Sequence, residues 1–194
     1  MFPHISTIIK TWEESFSQDW KILNIKVKNF WGRWFSQLAT NNLRWILAEY
    51  IVASDLGIVH NLREERDAYD LITPEKIKIE IKSASYIQSW EQKKLSTISF
   101  SIRPTHGYDI KTTKRNNILK RQSDVYVFCL LAHKDQNTLN PLDMGQRDFY
   151  IITTRLLDQE VLTQKSITLK KLQRIWAKKI QYWKIYETIK TLLI

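Results

Sequence analysis

Seven consecutive residues, Val125-Tyr-Val-Phe-Cys-Leu-Leu131, carry no charge and are rich in β-formers. A strand with one wet face alternates apolar and polar side chains; a strand that does not alternate must be covered on both faces. The run therefore predicts a strand in the middle of a sheet, with a layer on either side. Around it the pattern reads as a helix over 42–57, a hairpin over 70–82 and a strand over 96–104. After it come a strand at Phe149-Tyr-Ile-Ile-Thr153 and a helical start over 154–162. That order suggests a mixed sheet flanked by helices, an α/β fold.

The helix over 42–57 is apolar almost all round: Leu43, Trp45, Ile46, Leu47, Tyr50, Ile51 and Val52. Such a helix is buried. Asn41 or Asn42 can cap its start, and Gly57 suits the left-handed position past its end. Glu49 lies inside this element, and a buried carboxylate is costly without a partner. Arg44 or Arg63 could supply one, or a metal ion or its water shell could.

The hairpin carries the chemistry. Ile77-Lys-Ile-Glu-Ile-Lys82 alternates strictly, so Ile77, Ile79 and Ile81 line one face and Lys78, Glu80 and Lys82 the other. Asp70-Leu-Ile-Thr73 reads as the partner strand, and Pro74-Glu-Lys76 as a three-residue turn. If Thr73 faces Ile77, Asp70 falls opposite Glu80. Cross-strand neighbours on one face sit about 4.5–5.5 Å apart, so a slip of one residue would undo the arrangement.

Two carboxylates that close repel unless a positive charge lies between them. A hard cation such as Mg²⁺ does this with oxygen ligands and leaves positions for water and phosphate. Lys82, on the same side, can hold an attacking water and offset phosphate charge. Those are the parts needed to cut a phosphodiester. A solvated strand face with charges pairing along the ladder has the same Lys-x-Glu-x-Lys pattern, so the residue across the turn matters.

The spacing Asp70 … Glu80-x-Lys82 resembles the signature of the PD-(D/E)xK, or restriction-endonuclease-like, nuclease superfamily. The stretch from Asn42 to Asp158 is also similar to an uncharacterised prokaryotic group within it. The matching pieces are Ile46-Leu-Ala-Glu-Tyr-Ile-Val-Ala53, Asp67-Ala-Tyr-Asp70, Ile79-Glu-Ile-Lys-Ser83, Tyr86-Ile-Gln-Ser-Trp90 and Asp124-Val-Tyr-Val-Phe-Cys129. Tyr69 stands where the superfamily's name would put a proline, and Asp67 is a second candidate for the aspartate. The resemblance implies a restriction-endonuclease-like mixed central sheet and a Mg²⁺-dependent DNA endonuclease, with Mn²⁺ able to substitute. It implies in-line hydrolysis leaving a 5′-phosphate. Asp70 and Glu80 would be metal ligands, with Lys82 and Glu49 completing the catalytic set and Gln88 near the site touching phosphate. A homodimer would let two sites cut two strands.

Charge fits such a partner. The chain has 30 basic and 20 acidic residues, a net +10, which favours a polyanion such as DNA, with an anionic membrane surface as the other option. The segment over 105–123 reads as a basic loop. Its Lys111, Lys114, Arg115, Lys120 and Arg121 are candidate phosphate contacts. No apolar run approaches the about 20 residues needed to span a bilayer. The opening residues lack the layout of a signal peptide, and the lone Cys129 can form no internal disulfide, so a cytoplasmic protein is expected. Glycine-rich nucleotide motifs, serine-hydrolase elbows and zinc-spaced clusters are absent, so no nucleotide cofactor is expected.

The ends are expected to be helical. Ile8, Ile9, Trp12 and Phe16 step at helical spacing, predicting a helix from about Ser6; Ile22 to Val27 could be strand or helix; Trp31, Trp34, Phe35 and Leu38 again step by three and four. The aromatics either pack or stack on unpaired bases. The segment over 164–194 holds eight basic residues against Glu187 alone and reads as amphipathic helices with basic faces. The expected plan is one compact domain: a helical segment over 1–41, a nuclease-like core over 42–162 and a basic helical segment over 163–194. The rival reading is a DNA-binding or regulatory protein whose nuclease fold no longer cuts.

Overall fold

The computed structural model describes residues 8–59, 68–109 and 114–193; the side chains of 108, 109 and 114–116 are not described. The chain divides into two compact units, split between Leu38 and Ala39.

In the first unit, β1 (Ser15–Gln18) and β2 (Lys21–Lys26) form an antiparallel hairpin, followed by α1 (Val27–Phe35). The helix expected from Ser6 is not formed over the described residues; Ile8 to Glu14 are irregular and Phe16 is in a strand. Gln18 pairs with Lys21 across Asp19 and Trp20, which sit at φ 48° and 65°. Two positive φ angles in a two-residue loop match the twist of a hairpin and end any helix there. Ile8, Ile9, Trp12 and Phe16 are all exposed, so their helical spacing marks no shared buried face. The segment 22–27 takes the strand alternative, and the stepping aromatics 31–35 do lie on a helix.

The second unit holds α2 (Asn41–Asp55), β3 (Leu71–Ile72), β4 (Lys78–Ser85), β5 (Ser99–Ser101), β6 (Thr105–Asp109), β7 (Lys114–Lys120), β8 (Val125–Leu131), β9 (Arg147–Thr153), α3 (Thr154–Val161), β10 (Ser166–Thr168), α4 (Leu169–Arg174), β11 (Lys178–Ile180) and α5 (Ile185–Leu193). A mixed five-stranded sheet runs in the order β11-β9-β8-β4-β3. β4 and β8 are parallel; the other neighbours are antiparallel. All seven residues of β8 are buried, as a strand in the middle of a covered sheet must be.

Period-two alternation sorts the core into two layers. Ile77, Ile79, Ile81, Val125, Val127, Cys129, Phe149 and Ile151 pack against Ala48, Ile51 and Val52 of α2 and Ile185 and Ile189 of α5. Tyr126, Phe128, Leu130, Tyr150 and Ile152 pack on the other face against Phe100, Leu157, Ile167 and Leu172. Burying one such side chain stabilises by about 1.5–3 kcal/mol. A one-residue slip of β4 would put Glu80 and Lys82 where Ile79 and Ile81 lie fully buried, so its register is held by both layers.

Thr40, one residue before the expected caps, closes the start of α2 by accepting from Leu43 N, and Gly57 takes φ 70° past its end. The region 105–123, expected as a loop, is mostly the β6–β7 hairpin, with 110–113 outside the described residues. The basic C-terminal segment is not helical throughout: β10 pairs with β5 and β11 adds the sheet's outer strand, while Ile185 and Ile189 enter the core. Among the described residues no helix is long and apolar enough to cross a membrane.

Candidate active site

The hairpin forms in the expected register. Leu71 pairs with Ile79 and Ile72 with Lys78, and Thr73 N donates to Ile77 O at 3.0 Å. Pro74-Glu-Lys76 is the turn; Lys76 N donates to Thr73 O, and Lys76 takes φ 69°, the left-handed position that closes a three-residue loop. Asp70 sits just before β3. Its N donates to Ile79 O at 3.0 Å, and its Oδ2 accepts from Ile81 N at 2.6 Å. The Asp70 carboxylate is thus held within one residue of Glu80, at the β4 edge that the short β3 leaves uncovered.

Glu80 and Lys82 come together on one face of β4. Lys82 Nζ donates to Glu80 Oε1 at 2.5 Å, and Ser123 Oγ donates to Glu80 Oε2 at 3.3 Å. Their side chains are 20 and 26% exposed, half-buried but open to a substrate. The parallel pairing of β4 with β8 sets Tyr126 beside Glu80 and Phe128 beside Lys82. Burial and then the Glu80 charge push the Tyr126 phenol well above its ordinary range, so it stays neutral. Ser123 and Tyr126 were not foreseen. Only the pairing of β4 with β8 brings them to Glu80, and nothing in the local sequence announces that contact.

Glu49 is buried in α2, which packs on the face of β4 opposite Glu80 and Lys82. Arg44 is not its ion-pair partner: Nη1 donates to Ala39 O and Gln88 Oε1, both at 3.2 Å, and Nη2 to Asn41 Oδ1 at 2.6 Å. Arg63 and Asp67 lie outside the described residues.

Gln88 is spent inside the protein. It accepts from Arg44, and its Nε2 donates to Ser85 O and Ser96 Oγ, tying the loop after β4 to the start of α2. Arg121 is a correction to the basic-loop reading. It is 6% exposed; Nε donates to Ile102 O, Nη1 to Leu162 O and Asp158 Oδ1, and Nη2 to Gln164 O. A guanidinium whose Nε and both Nη atoms all donate to fixed acceptors clamps the fold. Lys120 is exposed at the end of β7. Lys114 and Arg115 lie on β7 without described side chains, and Lys111 is outside the described residues.

The donor set suits a hard cation in kind: carboxylates from Asp70 and Glu80, with positions left for water and phosphate. Among the described residues no group of three His, Cys, Asp or Glu side chains is placed to hold a metal. Two carboxylates are within the range that Mg²⁺ uses when phosphate supplies the remaining ligands.

The family model of bacteriophage T4 endonuclease IV matches residues 32–171, a span that includes Glu49, Asp70, Glu80 and Lys82. No curated protein and no solved structure matches the chain.

Proposed function

Because the chain belongs to the bacteriophage T4 endonuclease IV family, we propose that it is a metal-dependent DNA endonuclease of the PD-(D/E)xK type. The observation that carries the chemistry is the Glu80–Lys82 pair on one face of β4, with Asp70 bonded to the Ile81 N–H between them. Asp70 and Glu80 would hold Mg²⁺ or Mn²⁺, which when bound would polarise a phosphoryl oxygen and lower the pKa of water.

The chain's own residues do the rest. The Lys82 ammonium can hydrogen-bond an attacking water and stabilise negative charge growing on the phosphate, where a half-buried site strengthens the interaction. Ser123 fixes the orientation of Glu80. Asp70 ties off the β4 edge, and β8 holds the other edge, so the pair is carried on a rigid strand. In-line attack with the 3′ oxygen leaving would yield a 5′-phosphate. Glu49 would contribute its carboxylate from α2. A homodimer would bring two such sites to a duplex.

One observation favours a second reading, a DNA-binding protein that does not cut. Both Glu80 oxygens already accept hydrogen bonds. Incubation of the purified protein with circular, linear and branched DNA, with and without Mg²⁺ or Mn²⁺, separates the two. Metal-dependent cuts with 5′-phosphate ends support the nuclease; tight binding with no cuts under any condition supports the binder.

A further inference from the structure

At the end of the sheet beyond Lys82, two arginines are buried with no counter-ion among the described residues. Arg44 is 6% exposed, and its Nε has no hydrogen-bond partner. Arg147 is 5% exposed; Nε and Nη2 donate to Pro141 O, and Nη1 has no partner. Among the described residues no carboxylate forms an ion pair with either. Strand pairing puts them at one end, since Ser85 pairs with Leu131 and Leu131 with Arg147. Burial, and then the charge of Arg147, press down on the Arg44 cation. A buried cation without an anion is costly, and the like charge of Arg147 adds to that cost at Arg44.

Arg44 lines a cavity of about 230 Å³ with Asn41, Ser83, Ser85, Gln88 and Trp90. The cavity lies along the β4 edge that β3 leaves uncovered, and Ser83 directly follows Lys82. At the usual strand rise, Ser85 is about 10 Å along β4 from Lys82, and its side chain turns to the α2 face, so a strand passing the β4 edge would reach from one to the other within one or two nucleotides. Hydroxyls and amides line the cavity beside Arg44, while the indole of Trp90, 55% exposed, stands at the wall. Gln88 spends its own amide on Arg44, Ser85 and Ser96, so it is a positioning residue that holds the guanidinium in place.

We infer that the Arg44 cavity is a phosphate subsite of the substrate groove, seating a phosphodiester of the DNA strand next to the one cut at Glu80 and Lys82. The inference rests on the nuclease reading but can fail separately from it.

The test is a scan of oligonucleotides, each carrying one neutral methylphosphonate linkage, bound to the Glu80→Gln protein without divalent cations and read by fluorescence anisotropy. One linkage beside the cut site should weaken binding about tenfold, the size of one lost charge-assisted contact. The same linkage should cost nothing once Arg44→Gln is added, while other linkages keep their effects. A flat profile in the Glu80→Gln protein overturns the subsite whether or not the Arg44 variant folds. So does an unchanged profile in the double variant. Cutting by the wild type with a flat profile removes the subsite alone. A profile with one dip and no cutting leaves the subsite and removes the nuclease.

Discussion

Lys82 Nζ lies 2.5 Å from Glu80 Oε1, two residues apart on the same face of a strand whose other face buries Ile79 and Ile81. The alternation that buries Ile79 and Ile81 places both charges outside that core. Asp70 is the third member, and its geometry separates its two roles.

Asp70 accepts from Ile81 N through Oδ2, a bond that an amide oxygen can replace. Asp70→Asn should therefore melt close to the wild type yet cut DNA at least about 100-fold more slowly, because it removes only the charge. Asp70→Ala should lose cutting and also about 1–3 kcal/mol of stability, since the Ile81 N–H loses its charged acceptor. Undiminished cutting by Asp70→Asn would remove Asp70 from the site.

Neighbouring cations should behave in opposite ways. Arg121→Ala strips the acceptors of Ile102, Leu162 and Gln164 of their donor and breaks the pair with Asp158. Asp158 is half-exposed, so the expected loss is about 2–3 kcal/mol, below that of a fully buried pair. Lys120→Ala should leave melting unchanged and lower the slope of log affinity against log salt by about one phosphate contact. Equal effects of the two on melting would contradict the assignment.

Much of the core is legible in the sequence. The uninterrupted run over 125–131 announced a strand covered on both faces, and strict alternation with a Pro74-containing turn announced the register of β3 on β4. The N-terminal hairpin could not be read this way, because Trp12 and Phe16 step helically without sharing a buried face. β10 and β11 have three residues each, too few for a period to show. Arg121 carried the charge of a surface contact, and charge alone does not report burial. Ser123 and Tyr126 reach Glu80 only through a parallel pairing that spans more than forty residues. Arg44 and Arg147 come to one end of the sheet from two elements that are far apart in the chain.

The Cys129 thiol is fully buried, and burial pushes its pKa from an ordinary 9.0 up to about 12. The folded protein keeps that proton while the unfolded chain gives it up. The contribution to stability is whole below pH 9.0 and is lost as pH rises towards about 12. The slope would be up to about 1.4 kcal/mol per pH unit. Urea melts across this window should show the decline in the wild type and a shallower one in Cys129→Ala. Native Cys129 should also resist thiol reagents at pH 8 until the protein is unfolded. Rapid labelling of native protein would contradict its burial.

Single-turnover cleavage of a labelled DNA by the wild type, Glu80→Gln and Lys82→Met, at saturating protein and with Mg²⁺, bears most directly on the Glu80–Lys82 pair as the cutting centre. Cutting by the wild type with 5′-phosphate products, and a loss of about 100-fold or more in each variant with DNA binding retained, is the expected result. Cutting at wild-type rates by either variant would contradict it.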